Sequence, residues 1–83
     1  MKYYIDTIEQ VKGEGGAVNE YGKREVQPTA TTMEEALPAF YTKCTNVSND
    51  IGEGKNHYYA DIQISDSTGG SLKREVIGKR VEA

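Results

Sequence analysis

Three short strings occur twice in this chain, in the same order. Near the N-terminus stand Tyr3-Tyr4-Ile5-Asp6, Gly15-Gly16 and Lys23-Arg24-Glu25-Val26. Near the C-terminus stand Tyr58-Tyr59-Ala60-Asp61, Gly69-Gly70 and Lys73-Arg74-Glu75-Val76. Between the two sets lies the only stretch with helical periodicity. The order predicts two similar β-hairpins flanking one helix: an α+β domain of ββαββ layout, with a four-stranded antiparallel sheet and one helix packed on one face. Chance recurrence of short strings rich in Tyr, Lys and Glu is the alternative, because the first loop is longer than the second. The ββαββ reading stands under either.

The strand patterns follow from side-chain alternation with a period of two. Tyr3, Ile5 and Thr7 alternate against Tyr4, Asp6 and Ile8 over residues 2–12. Four glycines, at 13, 15, 16 and 22, mark a flexible connection, and Val18 and Tyr21 can extend a strand into it. A second strand is expected over 23–29, ended by Pro28, which has no N–H for a ladder. Over 57–65, Tyr58, Ala60, Ile62 and Ile64 share one face, and Tyr59, Asp61, Gln63 and Ser65 the other. Asp66 to Ser71 reads as a turn and 72–81 as the last strand, with Glu82-Ala83 frayed.

The helix announces itself through Thr31 with Glu34, or Thr32 with Glu35, either of which fits a capping box. Met33, Ala36, Leu37, Phe40, Tyr41, Cys44 and Val47 then recur at helical spacing. Pro38 removes the bond to the Glu34 carbonyl, so a kinked or 3₁₀-like first turn is expected in preference to two separate pieces. Gly52 and Gly54 suit the C-terminal stop. The expected core places Leu37, Phe40, Tyr41 and Cys44 against Tyr3, Ile5, Tyr58, Ala60, Ile62 and Ile64.

Composition bounds the rest. Eighty-three residues make one domain, 1–83, with a small core. A single cysteine, Cys44, excludes an internal disulfide and favours a reducing compartment. No stretch approaches a membrane span or a signal peptide, so a complete cytoplasmic protein without membrane partners is expected. The net charge of −3, from 13 acidic and 10 basic residues, is mixed and disfavours nucleic acid as a partner.

Catalytic chemistry finds no convincing constellation. Cys44 and His57 could form a nucleophile–base pair, but a cysteine on an apolar helical stripe is far more often structural. Asp50, Glu53 and His57 could converge on a metal, against the commoner solvated loop. Gly13-Glu14-Gly15-Gly16 lacks the lysine and helix of a phosphate loop. Asn46-Val47-Ser48 matches a glycosylation sequon only by chance if the chain is cytoplasmic. No enzyme, no cofactor and no metal is expected.

One helix covers one face of a four-stranded sheet, so the other face meets water or a partner. On the expected phase it carries Tyr4, Ile8, Tyr59 and Ile77. Tyrosines there suit a protein interface, including a homo-oligomer joined by that face or by a strand edge, or they simply pair across strands. In the alternative, Tyr4 and Tyr59 stack nucleobases with Arg24 and Arg74 on the phosphates, making a nucleic-acid or nucleotide-binding module.

Met1-Lys2-Tyr3-Tyr4, the helix start Thr32-Met33-Glu34-Glu35-Ala36-Leu37 with Phe40-Tyr41, and the strand–turn–strand from Asp61 to Glu75 together resemble uncharacterised small proteins of gut Gram-positive bacteria and their prophages or mobile elements. The resemblance implies an accessory protein, including a small inhibitor that binds a host protein. The reading of the whole chain is therefore a non-enzymatic interaction module that contacts itself and an unknown protein.

Overall fold

The structure, a computed structural model, describes residues 2–53 and 57–81. Strands β1 (Tyr3–Lys12) and β2 (Val18–Gln27) form the first hairpin, closed by a 3₁₀ turn over Glu14–Gly16. Helix α1 (Met33–Gly52) leads to the second hairpin, β3 (His57–Asp66) and β4 (Ser71–Gly78). All four strands lie in one antiparallel sheet of order β2-β1-β3-β4. The ββαββ expectation holds. The second strand starts at Val18, not Lys23, and the last ends at Gly78, short of residue 81. Glu82-Ala83, expected to fray, and Gly54 of the expected helix stop lie outside the described residues.

The repeated strings acquire a geometric meaning in the central ladder. Aligning Tyr3-Tyr4 with Tyr58-Tyr59 equates Thr7 with Ile62, and these two residues face each other across β1 and β3. Half a turn about that pair, normal to the sheet, carries one central strand onto the other.

Period-two alternation sorts the faces. Tyr3, Ile5, Thr7 and Glu9 of β1 share the helix side with Ala60, Ile62 and Ile64 of β3, and all seven are buried. Helix α1 packs over β3 first, then β4 and β1. Its buried stripe is Ala36, Phe40 and Val47, flanked by Met33, Cys44 and Ile51. Two expected helix positions are corrected. Tyr41 is 49% exposed, with its ring edge against Phe40, and Leu37 is only half-buried. The stripe that meets the sheet is narrower than the full apolar arc, and these two residues fall on its margins. Tyr58 is likewise half-buried.

Thr32 caps the helix by accepting the Glu35 N–H on its hydroxyl at 3.3 Å. Glu35 reaches back to the Thr31 hydroxyl at 2.6 Å and to the Thr31 N–H at 3.4 Å. The hydroxyls of Thr31 and Thr32 hold the Glu35 carboxyl below its ordinary pKa. Pro38 does not split or interrupt the helix, which runs unbroken through it. Glu34 and Pro38 are both exposed, so the carbonyl left without a donor can bond to water.

Candidate interaction surface

The face of the sheet turned away from α1 is built in rows across the four strands. One row reads Arg24, Asp6, Gln63, Arg74 from β2 to β4. The neighbouring row reads Gly22, Ile8, Asp61, Val76. Tyr4 lies opposite Val26 and Ser65, and Gln10 opposite Glu20 and Tyr59. Ile8, Val26 and Val76 are exposed, at 41%, 49% and 48%.

Two forked ion pairs organise the polar part. Arg24 donates from Nε and Nη2 to Asp6 at 2.7 and 3.0 Å, and Ser65 adds its hydroxyl to the same carboxylate at 2.9 Å. Arg24 also stands 4.6 Å from the centre of the Tyr4 ring. The hydrogen bond from Arg24 holds the Asp6 carboxyl below its usual pKa, helped by Ser65 and opposed by burial. In the second hairpin, Arg74 grips Asp61 through Nε at 2.8 Å and through Nη2. Asp61 is the more deeply placed carboxylate: its side chain is 7% exposed, against 28% for Asp6.

The end of this face near Gln10 is covered by the chain itself. Gly78 takes φ +76, a left-handed conformation, and β4 stops there. The Lys79 N–H donates to the Tyr58 carbonyl at 3.2 Å. Residues Lys79 to Val81 then bend over the face. The Val81 N–H donates to Gln10 Oε1 at 2.7 Å, and Gln10 Nε2 donates to the Val81 carbonyl at 2.9 Å. Arg80 pairs with Glu20 at 2.6 Å and lies 5.8 Å from the centre of the Tyr59 ring. Under this cover Gln10 and Tyr59 are 3% and 8% exposed.

Of the residues expected on the open face, Tyr4, Ile8 and Tyr59 are there, and so are Arg24 and Arg74. Two corrections apply. Tyr59 is buried beneath the C-terminal residues and is not a free aromatic surface. Ile77 is on the other face, opposite Ala60 and packed against the core. The single-residue phase of β4 sets this, because Val76 and Ile77 are adjacent and only one can face the helix. Gln10, Glu20, Arg80, Val26 and Val76 were not singled out from the sequence. For the valines a signal existed: Arg and Val are two apart in each Lys-Arg-Glu-Val string, so they share a face.

The helix side holds a second polar cluster. Glu9 is 5% exposed and faces Lys43 Nζ at 3.6 Å. The Tyr21 hydroxyl donates to Glu9, which raises the Tyr21 pKa. Cys44 lines an open groove of about 310 Å³ between α1 and β4, with Phe40, Tyr41, Glu75 and Ile77. Burial, with Glu75 nearby, pushes its thiol pKa up, which makes it a poorer nucleophile. Among the described residues no three His, Cys, Asp or Glu side chains are placed to share a metal ion. His57 Nδ1 is buried with no hydrogen-bond partner among them. No helix among them is long and apolar enough to cross a membrane.

Comparison with protein-family models, curated proteins and solved structures finds no match for this chain.

Proposed function

We propose that the protein is a non-enzymatic interaction module that acts by protein–protein contact through the open face of its sheet, with a second copy as its first partner. The observation that carries this reading is a set of three exposed aliphatic side chains, Ile8 and Val76 in one row and Val26 two rows away, on a face that no other element among the described residues covers away from the Gln10 end. The charges of that face support a like face as occupant. Asp6, Asp61 and Glu20 are each matched by an arginine within the face. A neutral surface with apolar side chains suits a neutral, self-complementary partner. It suits a polyanion less well: Arg24 and Arg74 are already committed to carboxylates, and Tyr59 is not free to stack a base. The resemblance to accessory proteins of mobile elements supports a host protein as a further partner.

Light scattering over a wide concentration range tests the reading. A dimer, twice the 9.2 kDa of the chain, is expected at micromolar concentration. Val76→Glu should return it to monomer, since it places an unpaired charge in the interface without disturbing the core. A mass of one chain throughout the range removes the proposal.

A further inference from the structure

We propose that the Gln10 end of the open face is a peptide-reading site, which the chain's own Arg80-Val81 occupies, and whose ligand in trans is an extended segment of a partner protein carrying an arginine followed by an aliphatic residue. The site is built to bind main chain. The Gln10 carboxamide meets the Val81 residue with a donor and an acceptor at once, as a neighbouring strand would. Its remaining N–H points to Glu20 at 3.3 Å, so the amide is held in one orientation. Glu20 and the Tyr59 ring then select what precedes the aliphatic residue: a guanidinium that pairs with a carboxylate and lies over an aromatic face.

The occupant is held lightly. Beyond Gly78 one main-chain hydrogen bond to the sheet, from Lys79 to Tyr58, precedes the Gln10 contacts. Three neutral hydrogen bonds, one ion pair with an exposed arginine and that arginine's contact with the Tyr59 ring oppose the entropy of ordering three residues. Such a balance is close, so the tail can leave the site and return. Tethering gives it a high local concentration, and it acts as a built-in competitor for the partner segment. Deleting it should therefore reveal the site. The proposal does not depend on self-association, because peptide binding is read on one chain whatever its assembly.

The test is an NMR titration of the chain ending at Gly78 with a capped peptide, Gly-Lys-Arg-Val-Glu-Ala. Saturable shifts of the Gln10 side-chain amide and of Tyr59 are expected, with affinity about two- to fivefold above that of the full chain, in which the tethered tail competes. Gln10→Leu in the shortened chain should abolish binding, and a peptide with Glu in place of Arg should not bind. Absence of saturable shifts, equal binding of the Glu peptide, or equal affinity of full and shortened chains overturns the proposal. Should shortening unfold the protein, the full chain carrying Arg80→Glu takes its place, its tail released by repulsion from Glu20. Failure of that variant to bind the peptide, folded or not, also overturns it. If the full chain forms a dimer that Gln10→Leu dissolves, the occupant is the tail of a second copy, and the partner-protein assignment falls.

Discussion

Replacing Gly78 by alanine should damage this fold more than the same change at Gly69, and the difference measures one close backbone approach. Both glycines have left-handed φ, +76 at Gly78 and +88 at Gly69. Forcing alanine into that region costs about 1–2 kcal/mol, offset by about 0.4–1 kcal/mol because alanine stiffens the unfolded chain. At Gly69 nothing lies within 4 Å of an added Cβ, so a net loss of about 1 kcal/mol or less is expected there. At Gly78 the added Cβ would sit well inside van der Waals contact with the Tyr58 carbonyl oxygen, and 3.3 Å from Ile51 Cδ1. The backbone must shift, and the bond from the Lys79 N–H to that carbonyl goes with it. Losing it adds about 1 kcal/mol, for a total of about 2 kcal/mol. A domain this small has only a few kcal/mol in all, so Gly78→Ala should be partly unfolded near room temperature. Urea unfolding followed by circular dichroism gives both values. Equal midpoints for the two variants would refute the close approach, and with it the placing of the tail that it anchors.

Other consequences are accessible to the same measurements. Phe40 is 1% exposed and central to the helix–sheet core, so Phe40→Ala should cost about 3–5 kcal/mol and leave no cooperative melting curve; an unchanged curve would mean that the helix packs on another face. Arg74→Met should lower Tm more than Arg24→Met, because it strands a carboxylate whose side chain is 7% exposed, whereas Asp6 keeps Ser65 and water; equal shifts would show that Asp61 is hydrated. Asp6 has its folded pKa depressed below 3.8, so its contribution is full above that value and fades as pH falls through the lower folded one. Asp6→Asn should flatten the acid limb of the stability curve, and an unaltered limb would assign acid sensitivity elsewhere.

What could be read from the sequence was whatever depends on period. Alternation in the third strand, carried to the first by the repeated Tyr-Tyr-x-Asp string, placed Tyr3 and Ile5 on the helix side and Tyr4 on the other, and a one-residue slip would have reversed every assignment at once. The helix start was legible to within one residue because a cap is a local arrangement: Thr31-Glu34 and Thr32-Glu35 fitted alike, and the structure takes the second. Tyr41 was misplaced because an apolar arc on a helix can be wider than the stripe a single sheet touches, and only tertiary packing selects its middle. Ile77 was misplaced because Val76-Ile77 offers two equal phases. The C-terminal crossing left no periodic trace at all. It depends on Gln10, 71 residues away from Val81 in sequence, and on a glycine whose need for φ above zero looks, in sequence, like any break in a strand.

The two hairpins solve one problem with different registers, and this says what the repeated strings have in common. In the first, Asp6 stands directly opposite Arg24. In the second, Asp61 stands opposite Val76, and Arg74 opposite Gln63, so the gripping arginine comes from the diagonal position. The offset is two residues. An odd offset would have thrown Arg74 and Val76 to the helix side and set Lys73 and Glu75 on the open face beside Asp61. An even one keeps Arg and Val of both Lys-Arg-Glu-Val strings on the open face, and the long guanidinium side chain spans the difference. The consequence reaches the proposed interface. Val26 lies opposite Tyr4, but Val76 lies opposite Asp61, in the row of Ile8. The exposed aliphatic residues therefore do not follow the half-turn that relates β1 to β3, even though the ion pairs nearly do. A second copy docking on this face meets a charge pattern that is close to symmetric and an apolar pattern that is not. The apolar side chains, rather than the Asp–Arg pairs, are then what sets the orientation of the partner.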